Sequence, residues 1–228
     1  IMGDSRRDGT TVDSSTAPLS SGRHGVWAGL HRHPWLVVLL LWVMTAIIDI
    51  AWLVSDRSIA SWDPADHLIG SLNYWWTLTH GRWFSGDWWT GLWTLSSKYP
   101  PLLYMATTPF LVLLGRGADQ SILVNLLFTA ILLVSVYSLG RHLFNGFVGV
   151  WTAVICVLLP QFYTQRLQYL MDYPLTAMVV ASFCCLTLWR DAKGWAAQWW
   201  GAWGFGLVFG LALLTKQTAL FFLAVPIV

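Results

Sequence analysis

Residues 35–54 read WLVVLLLWVMTAIIDIAWLV, an apolar run of twenty residues with a single charged side chain, Asp49. Twenty residues of helix rise about 30 Å, which matches the hydrocarbon thickness of a bilayer. The run therefore predicts a membrane-spanning helix. Asp49 lies one turn from its end, and we interpret it as an acid that reaches the outer interface, with a functional role as the alternative.

The composition of the whole chain also indicates an integral membrane protein. Of 228 residues, 56% are hydrophobic and 11% charged, and the mean hydropathy is +0.57, too apolar for a soluble domain. The basic residues are dispersed and form no stripe that would indicate nucleic-acid binding. Cys156, Cys184 and Cys185 lie inside apolar runs without a partner at metal-ligand spacing, so we interpret them as small buried hydrophobes.

The sequence on either side of residues 35–54 predicts a polar tail and further membrane spans. Residues 1–33 are polar, carry four arginines and predict a disordered cytoplasmic tail. Residues 34–228 predict the N-terminal part of a larger transmembrane domain. Its spans are predicted over about 35–54, 120–139, 147–163, 174–189 and 199–214, with a last one, 218–228, cut off by the end of the chain.

Residues 102–114, LLYMATTPFLVLL, are apolar but only thirteen long. Thirteen residues rise about 20 Å, which is too short to span. If this segment does not cross, the basic loops 140–146 and 189–195 lie on the same side as the arginine-bearing tail, as the positive-inside tendency prefers. The external side then holds three segments: 55–118, 164–173 and the region of Lys216.

The predicted external loop 55–118 contains seven of the seventeen tryptophans. Its first part shows one apolar stripe at the spacing i, i+4, i+7, i+8: Leu68, Leu72, Trp75 and Trp76. The stripe predicts a juxtamembrane helix over about 63–80, and a second short helix is predicted over about 101–114. The pattern suits a helix in the membrane plane and a helix packed on the spans equally well.

The start of the first juxtamembrane helix concentrates acidic residues. In WDPADH, at 62–67, Asp63, Asp66 and His67 stand at i, i+3 and i+4 and share one helical face. An acidic N-cap at Asp63 followed by proline, with Asp66 at the third helical position, is also a good helix start. Two carboxylates and an imidazole would also suit a metal. Helix initiation, catalysis and metal binding therefore stay open on these residues alone.

Four further charges fall on the predicted external side. Asp172 opens a span, where capping is the simple explanation, and Arg166 suits a charge at the interface. Lys98, before a double proline, is placed to reach the interface. Lys216 interrupts an almost continuous apolar run, and an ionisable group at membrane depth indicates function. Basic groups and carboxylates on one face suit a lipid-borne phosphate and a proton to be removed.

These motifs resemble the GT-C membrane glycosyltransferases that use polyprenyl-phosphate sugars, among them the protein O-mannosyltransferases and the aminoarabinose transferases of lipid A. The resemblance covers about residues 35–228. It rests on four motifs in the family's order: WDPADHL at 62–68, KYPPLLY at 98–104, MDYPLTAMV at 171–179 and GLALLTKQTAL at 210–220. It implies an all-α, polytopic transmembrane helix bundle with juxtamembrane helices in a long first external loop.

The resemblance further implies an inverting sugar transfer from a polyprenyl phosphate to a protein, lipid or glycan acceptor, at the external face of the plasma membrane. Asp63 would be the general base, and Asp172 a second catalytic residue that positions acceptor or sugar. The residues expected to bind substrate or phosphate are Asp66, His67, Lys98, Tyr99, Arg166 and Lys216. We expect Asp63, Asp172 and the two lysines to converge within one cavity.

Two departures from the family pattern limit the resemblance. The mannosyltransferase Asp-Glu pair is Asp63-Pro64 here, so the role of the glutamate is absent or passes to Asp66. The paired metal-binding acids of the oligosaccharyltransferases are replaced by DYP at 172–174, so we expect no cofactor and do not favour a divalent metal. A transporter or lipid flippase with an intramembrane charged path is the competing hypothesis, and a structural membrane subunit is a third.

Overall fold

A computed structural model describes residues 34–60, 62–96 and 98–224. The predicted tail over 1–33 and the end of the last predicted span therefore lie outside the described residues. The described part is helical and contains no strand. Four of its helices are long and apolar enough to cross a membrane, and a bent helix pair would make a fifth. The predicted class, an all-α polytopic membrane protein, is confirmed.

The helices follow one another with short connections. Within the described ranges they are α1 (Pro34–Ser55), α2 (Asp63–His80), α3 (Gly86–Thr94), α4 (Leu102–Leu114), α5 (Ala118–Ile122), α6 (Val124–Leu143), α7 (Gly146–Leu158), α8 (Pro160–Arg166), α9 (Asp172–Arg190), α10 (Trp195–Thr215) and α11 (Ala219–Ala224). Helices α5 and α6 together form one span-length unit, Ala118–Leu143.

Two elements differ from the sequence expectation. The apolar run predicted as a single span over 147–163 breaks at Leu159, whose extended backbone joins α7 and α8 at an angle of 63°. Pro160 explains the break, because proline restricts the preceding residue to extended conformations. Helix α3 was not predicted, although Ser85 caps it by accepting a 3.2 Å hydrogen bond from the amide of Trp88.

The long helices pack side by side. Helix α9 contacts α6 and α10, and α6 contacts α7. Helices α6 and α7 meet at Gly140 and Gly149, where a Cβ on Gly140 would lie 2.7 Å from the Gly149 Cα atom. Small residues let two helix backbones approach this closely, as is common in membrane bundles.

The two predicted juxtamembrane helices pack against each other. Tyr74 of α2 stacks on Tyr104 of α4 with ring centroids 5.3 Å apart, and both rings are buried. Gly70 provides the space, because a Cβ there would lie 3.1 Å from the Tyr104 ring. Helix α4 also contacts α10. This packing fixes the position of the first turn of α2, which carries the acidic motif.

Candidate active site

The acidic motif lies on the first turn of α2. The helix begins at Asp63, and its N-cap is Trp62, whose backbone has a positive φ of 55° and whose carbonyl accepts from the amides of Ala65 and Asp66. Asp63 and Asp66 therefore occupy the first and fourth helical positions, one later than the capping pattern predicted. Within the described ranges the Asp63 side chain, which is exposed, makes no hydrogen bond or ion pair, so both its oxygens are available.

His67 lies beneath this turn. It is 3% exposed, its Nδ1 is 2.9 Å from the Tyr104 hydroxyl, and its ring centroid is 5.0 Å from that of Tyr99. Burial lowers the pKa of His67, although the carboxylates of Asp66 and Asp63 act in the opposite direction. The imidazole is therefore neutral near pH 7 and contributes no positive charge to the binding of a phosphate.

Lys98 reaches the same corner from the segment before α4. Its Nζ lies 4.0 Å from the Asp66 carboxylate and 5.3 Å from the Tyr99 ring centroid. Ser96 holds this segment, because its hydroxyl donates to the Tyr99 carbonyl at 2.7 Å and accepts from the Tyr99 amide at 3.2 Å. Both charged groups of the Lys98–Asp66 pair are exposed, so the pair is weak and a bound anion can replace the carboxylate.

Lys216 and Asp172 form a second, closer pair. The Lys216 Nζ donates to Asp172 Oδ1 at 2.7 Å. Lys216 follows α10 with extended backbone, and Asp172 is the first residue of α9. The predicted capping role of Asp172 is not seen: the N-cap is Met171, and the Asp172 carboxylate faces the ammonium group.

Arg166 lies apart from these exposed groups. It is 3% exposed and forms two hydrogen bonds with Asp49, Nε to Oδ2 at 2.5 Å and Nη2 to Oδ1 at 2.9 Å. Asp49 is equally buried, so the interpretation that it reaches the outer interface is wrong. The structure therefore places Arg166 with a carboxylate inside the protein, whereas Lys98 and Lys216 each pair with a more exposed carboxylate.

Two cavities have residues of α2 in their walls. The first, of about 490 Å³, lies beside Asp63, and the described residues that line it include Asp56, Asp119, Gln168 and Tyr169 but no lysine or arginine. The second, of about 690 Å³, lies between the Lys98–Pro101 segment and α10. The residues that line it include Lys98, Tyr99, Gly206, Leu207, Gly210 and Gln217.

Asp63 and Lys98 thus line different cavities, and neither lining set includes Asp172 or Lys216. The expected single shared cavity is not seen, and the link between the first turn of α2 and the residues of the second cavity is the 4.0 Å Asp66–Lys98 pair. His67 lies close to this pair, because the charged groups that act on its ring are those of Asp66, Asp63, Lys98 and Asp172. Four of the expected site residues therefore gather near His67 at the start of α2: Asp63, Asp66, Lys98 and Asp172.

Sequence reasoning missed several residues of this arrangement. Tyr104, the partner of His67, lies inside the KYPPLLY motif, so the motif itself carried the signal. Gly206 and Gly210 form the small-residue side of the second cavity, and their spacing of four on one helix was readable. Among the described residues no group of three or more His, Cys, Asp or Glu side chains is arranged to hold a metal ion.

The fold and this site define an all-α membrane protein with two carboxylate–lysine pairs and two cavities, one more polar and one largely apolar. The chain belongs to the dolichyl-phosphate-mannose-protein mannosyltransferase family, whose model matches residues 90–228. It is a glycosyltransferase, as predicted, and the family favours a polyprenyl-phosphate sugar as donor over the transporter alternative. Comparison with curated proteins and with solved structures gave no match.

The matched region divides the candidate site. It includes Lys98, Tyr99, Arg166, Asp172 and Lys216. The acidic motif at 62–67 precedes it. The roles of the matched residues and of the acidic motif therefore need separate experimental tests.

Proposed function

We propose that this protein transfers mannose from a polyprenyl phosphate to a hydroxyl group of a protein acceptor, with inversion at the anomeric carbon and Asp63 as the general base. The observation that carries the proposal is the position of Asp63. Its exposed carboxylate lines a polar cavity and lies one helical turn from Asp66, which is 4.0 Å from Lys98 at the second cavity. An acceptor and a lipid-linked donor can therefore meet at this turn.

The second cavity suits the donor. Its wall on α10 consists of glycine and leucine, which can accommodate an isoprenoid chain, and Lys98 and Gln217 supply polar groups for the phosphate. Lys216 lies next to Gln217 in the chain and presents an ammonium group held by Asp172. Two lysines would then share the charge of one phosphate.

The first cavity suits the acceptor. In the proposed reaction the acceptor hydroxyl gives its proton to Asp63 as its oxygen bonds to the anomeric carbon. The bond between that carbon and the phosphate oxygen breaks, and the electron pair leaves with the polyprenyl phosphate. Lys98 and Lys216 stabilise the additional negative charge of this leaving group. Asp172 positions acceptor or sugar.

The proposed topology places this chemistry on the external face of the plasma membrane. With α4 not crossing, the basic residues at the ends of α6 and α9 and between α9 and α10 lie on the cytoplasmic side, in agreement with the positive-inside tendency: Arg141, Arg190 and Lys193. Helix α4 has thirteen residues and packs on α2, which supports its assignment to the external loop.

The test is an Asp63→Asn variant, assayed in membranes with polyprenyl-phosphate mannose and a serine- and threonine-containing peptide. We expect turnover to fall by about 10²- to 10⁴-fold, the usual contribution of a general base, while the donor still binds. Asp87→Asn, which removes an exposed carboxylate from α3 in the same loop, serves as the control. Near-normal turnover of Asp63→Asn would remove Asp63 as the base.

A further inference from the structure

The wall of the acceptor cavity includes a segment that has no regular secondary structure of its own. Residues 167–170, between α8 and α9, line the same cavity as Asp63. They do not line the donor cavity among its described residues. Such a segment needs contacts with the surrounding helices to keep a fixed shape.

Three buried side chains supply such contacts. Asn125 of α6 is 1% exposed, and its Nδ2 donates to the carbonyls of Arg166 at 2.8 Å and Gln168 at 2.9 Å. Because both acceptors are carbonyls, the side-chain amide has a single orientation. The Arg166 guanidinium in turn forms the two hydrogen bonds with Asp49 of α1. The segment is thereby tied directly to α6 at Gln168, and the residue before it is tied to α1.

A third tie holds the middle of the segment. The hydroxyl of Tyr169, which is 3% exposed, is 2.7 Å from the hydroxyl of Thr107 on α4. Asp172 is less dependent on the segment, because Tyr173 beside it contacts Arg166 but also bonds through its hydroxyl to Thr129 of α6 at 2.8 Å. Loss of the Arg166 and Asn125 contacts should therefore move the cavity wall more than it moves Asp172.

We propose that Asp49, Arg166 and Asn125 are positioning residues for the acceptor: they hold the 167–170 wall of the Asp63 cavity and bind no phosphate. The Arg166 guanidinium is buried, forms two hydrogen bonds with one carboxylate, and is not among the described residues that line the donor cavity. The inference rests on the proposed function for the identity of the ligand that the wall contacts. It replaces the sequence-based expectation that Arg166 binds phosphate.

The central test removes both charges together. Replacing a buried ion pair by apolar residues of similar size often preserves stability, whereas removing one partner leaves an uncompensated charge. For Asp49→Leu/Arg166→Met we expect the acceptor KM to rise about tenfold through misplacement of the wall, with the donor KM changed by less than about twofold. The probes are polyprenyl-phosphate mannose and a serine- and threonine-containing peptide.

Hydrogen–deuterium exchange gives a readout that does not need turnover. Amide exchange within 167–170 should increase about tenfold in the double variant, while α10 stays protected. Thr45→Val is the matched control: Thr45 is 1% exposed on α1, one turn before Asp49, and its hydroxyl donates at 2.8 Å to the Leu41 carbonyl of its own helix, its single hydrogen-bond partner among the described residues. Asn125→Leu is an independent second variant with the same expected direction.

Each outcome decides the inference. An equal rise in both KM values, or an unchanged acceptor KM with raised exchange, would overturn the positioning role. If Asp49→Leu/Arg166→Met and Asn125→Leu both fail to fold while Thr45→Val folds, the three residues support the whole helix bundle, and the proposed role in holding the 167–170 wall is wrong. If the unaltered protein transfers no mannose, the proposed function and the acceptor role fail together, and exchange at 167–170 still decides whether the cluster holds the wall.

Discussion

Lys216 donates to Asp172 at 2.7 Å, although 44 positions separate the two residues in the chain. The contact joins the end of α10 to the start of α9, which run antiparallel. Lys216 is the less exposed partner, with 27% of its side chain accessible against 55% for Asp172. An incoming phosphate can therefore compete with a carboxylate that water already solvates in part.

Lys216→Met tests the phosphate role of this lysine. We expect the Kd for polyprenyl phosphate to rise about tenfold, equivalent to about 1.4 kcal/mol, because a charge-assisted hydrogen bond is lost. Lys193→Met, at an exposed lysine between α9 and α10 at their opposite ends, should bind normally. Competition binding in detergent micelles provides the measurement. Equal affinities for all three proteins would exclude Lys216 from the phosphate site.

Asp172→Asn separates the carboxylate from its lysine. If Asp172 acts on acceptor or sugar, turnover should fall about tenfold or more, while the Kd for polyprenyl phosphate does not rise because Lys216 is still present. Single-turnover kinetics with saturating donor measure the first effect and competition binding the second. A donor Kd that rises as much as in Lys216→Met would instead show that Asp172 serves only to orient the lysine.

Hydropathy was sufficient to predict the long helices, because their length is set by the bilayer and their composition by its hydrocarbon. The same criterion failed at 147–163, where composition stays apolar while the backbone breaks before Pro160. The proline was a visible signal, but a proline can also be tolerated within a span. Helix α3 was missed because its nine residues contain four apolar tryptophan and leucine side chains but no span-length run.

The candidate site was only partly predictable for a different reason. The shared face of Asp63 and Asp66 follows from helix geometry, which is local. The partnership of Arg166 with Asp49 spans 117 positions and depends on how α1 and α8 pack. Each residue lies near the end of an apolar run, so opposite charges at similar depth were a readable hint. The hint did not determine which charges pair.

The contact between α6 and α7 gives a prediction on stability. A Cβ on Gly149 would lie 2.6 Å from the Tyr137 carbonyl oxygen, and backbone cannot move aside cheaply. We expect Gly149→Ala to lower the free energy of unfolding by about 1–3 kcal/mol through overpacking. Gly146→Ala on the same helix meets nothing within 4 Å and is the control. Thermal unfolding in detergent should rank Gly149→Ala below Gly146→Ala, and equal melting temperatures would contradict the close contact.

His67 gives a prediction on pH dependence. Burial lowers the pKa of His67 in the folded protein. Below about pH 6.5, the ordinary pKa of histidine, the unfolded chain therefore binds the proton more readily than the folded protein does. The contribution of neutral His67 to the free energy of unfolding should therefore be fully present above about pH 6.5. On acidification it should fall by at most about 1.4 kcal/mol per pH unit. The opposing carboxylates of Asp66 and Asp63 reduce this effect, and Lys98 adds to it.

Melting temperatures at pH 7.5, 6.5 and 5.5 check this dependence. His67→Gln should reduce the acid-induced loss of stability, since a neutral amide can still bond the Tyr104 hydroxyl. His80→Gln changes an exposed histidine at the end of the same helix and should leave the loss as it is in the unaltered protein. An identical pH profile for His67→Gln and His80→Gln would show that His67 does not contribute.

The apolar wall of the second cavity predicts chain-length dependence for the donor. Gly210 lines this cavity, and a Cβ placed there meets nothing within 4 Å, so a larger side chain can enter the space without disturbing the helix. In Gly210→Leu we expect the KM for a long-chain polyprenyl-phosphate mannose to rise about tenfold, because each methylene excluded from an apolar site loses about 0.8 kcal/mol. A donor with one or two isoprene units should be affected much less, since its chain ends before the obstruction.

Gly204→Leu is the matched control, because Gly204 lies on the same helix, has open space at Cβ and is not part of the cavity wall. Equal effects of Gly210→Leu on long and short donors would show that the lipid chain occupies another surface.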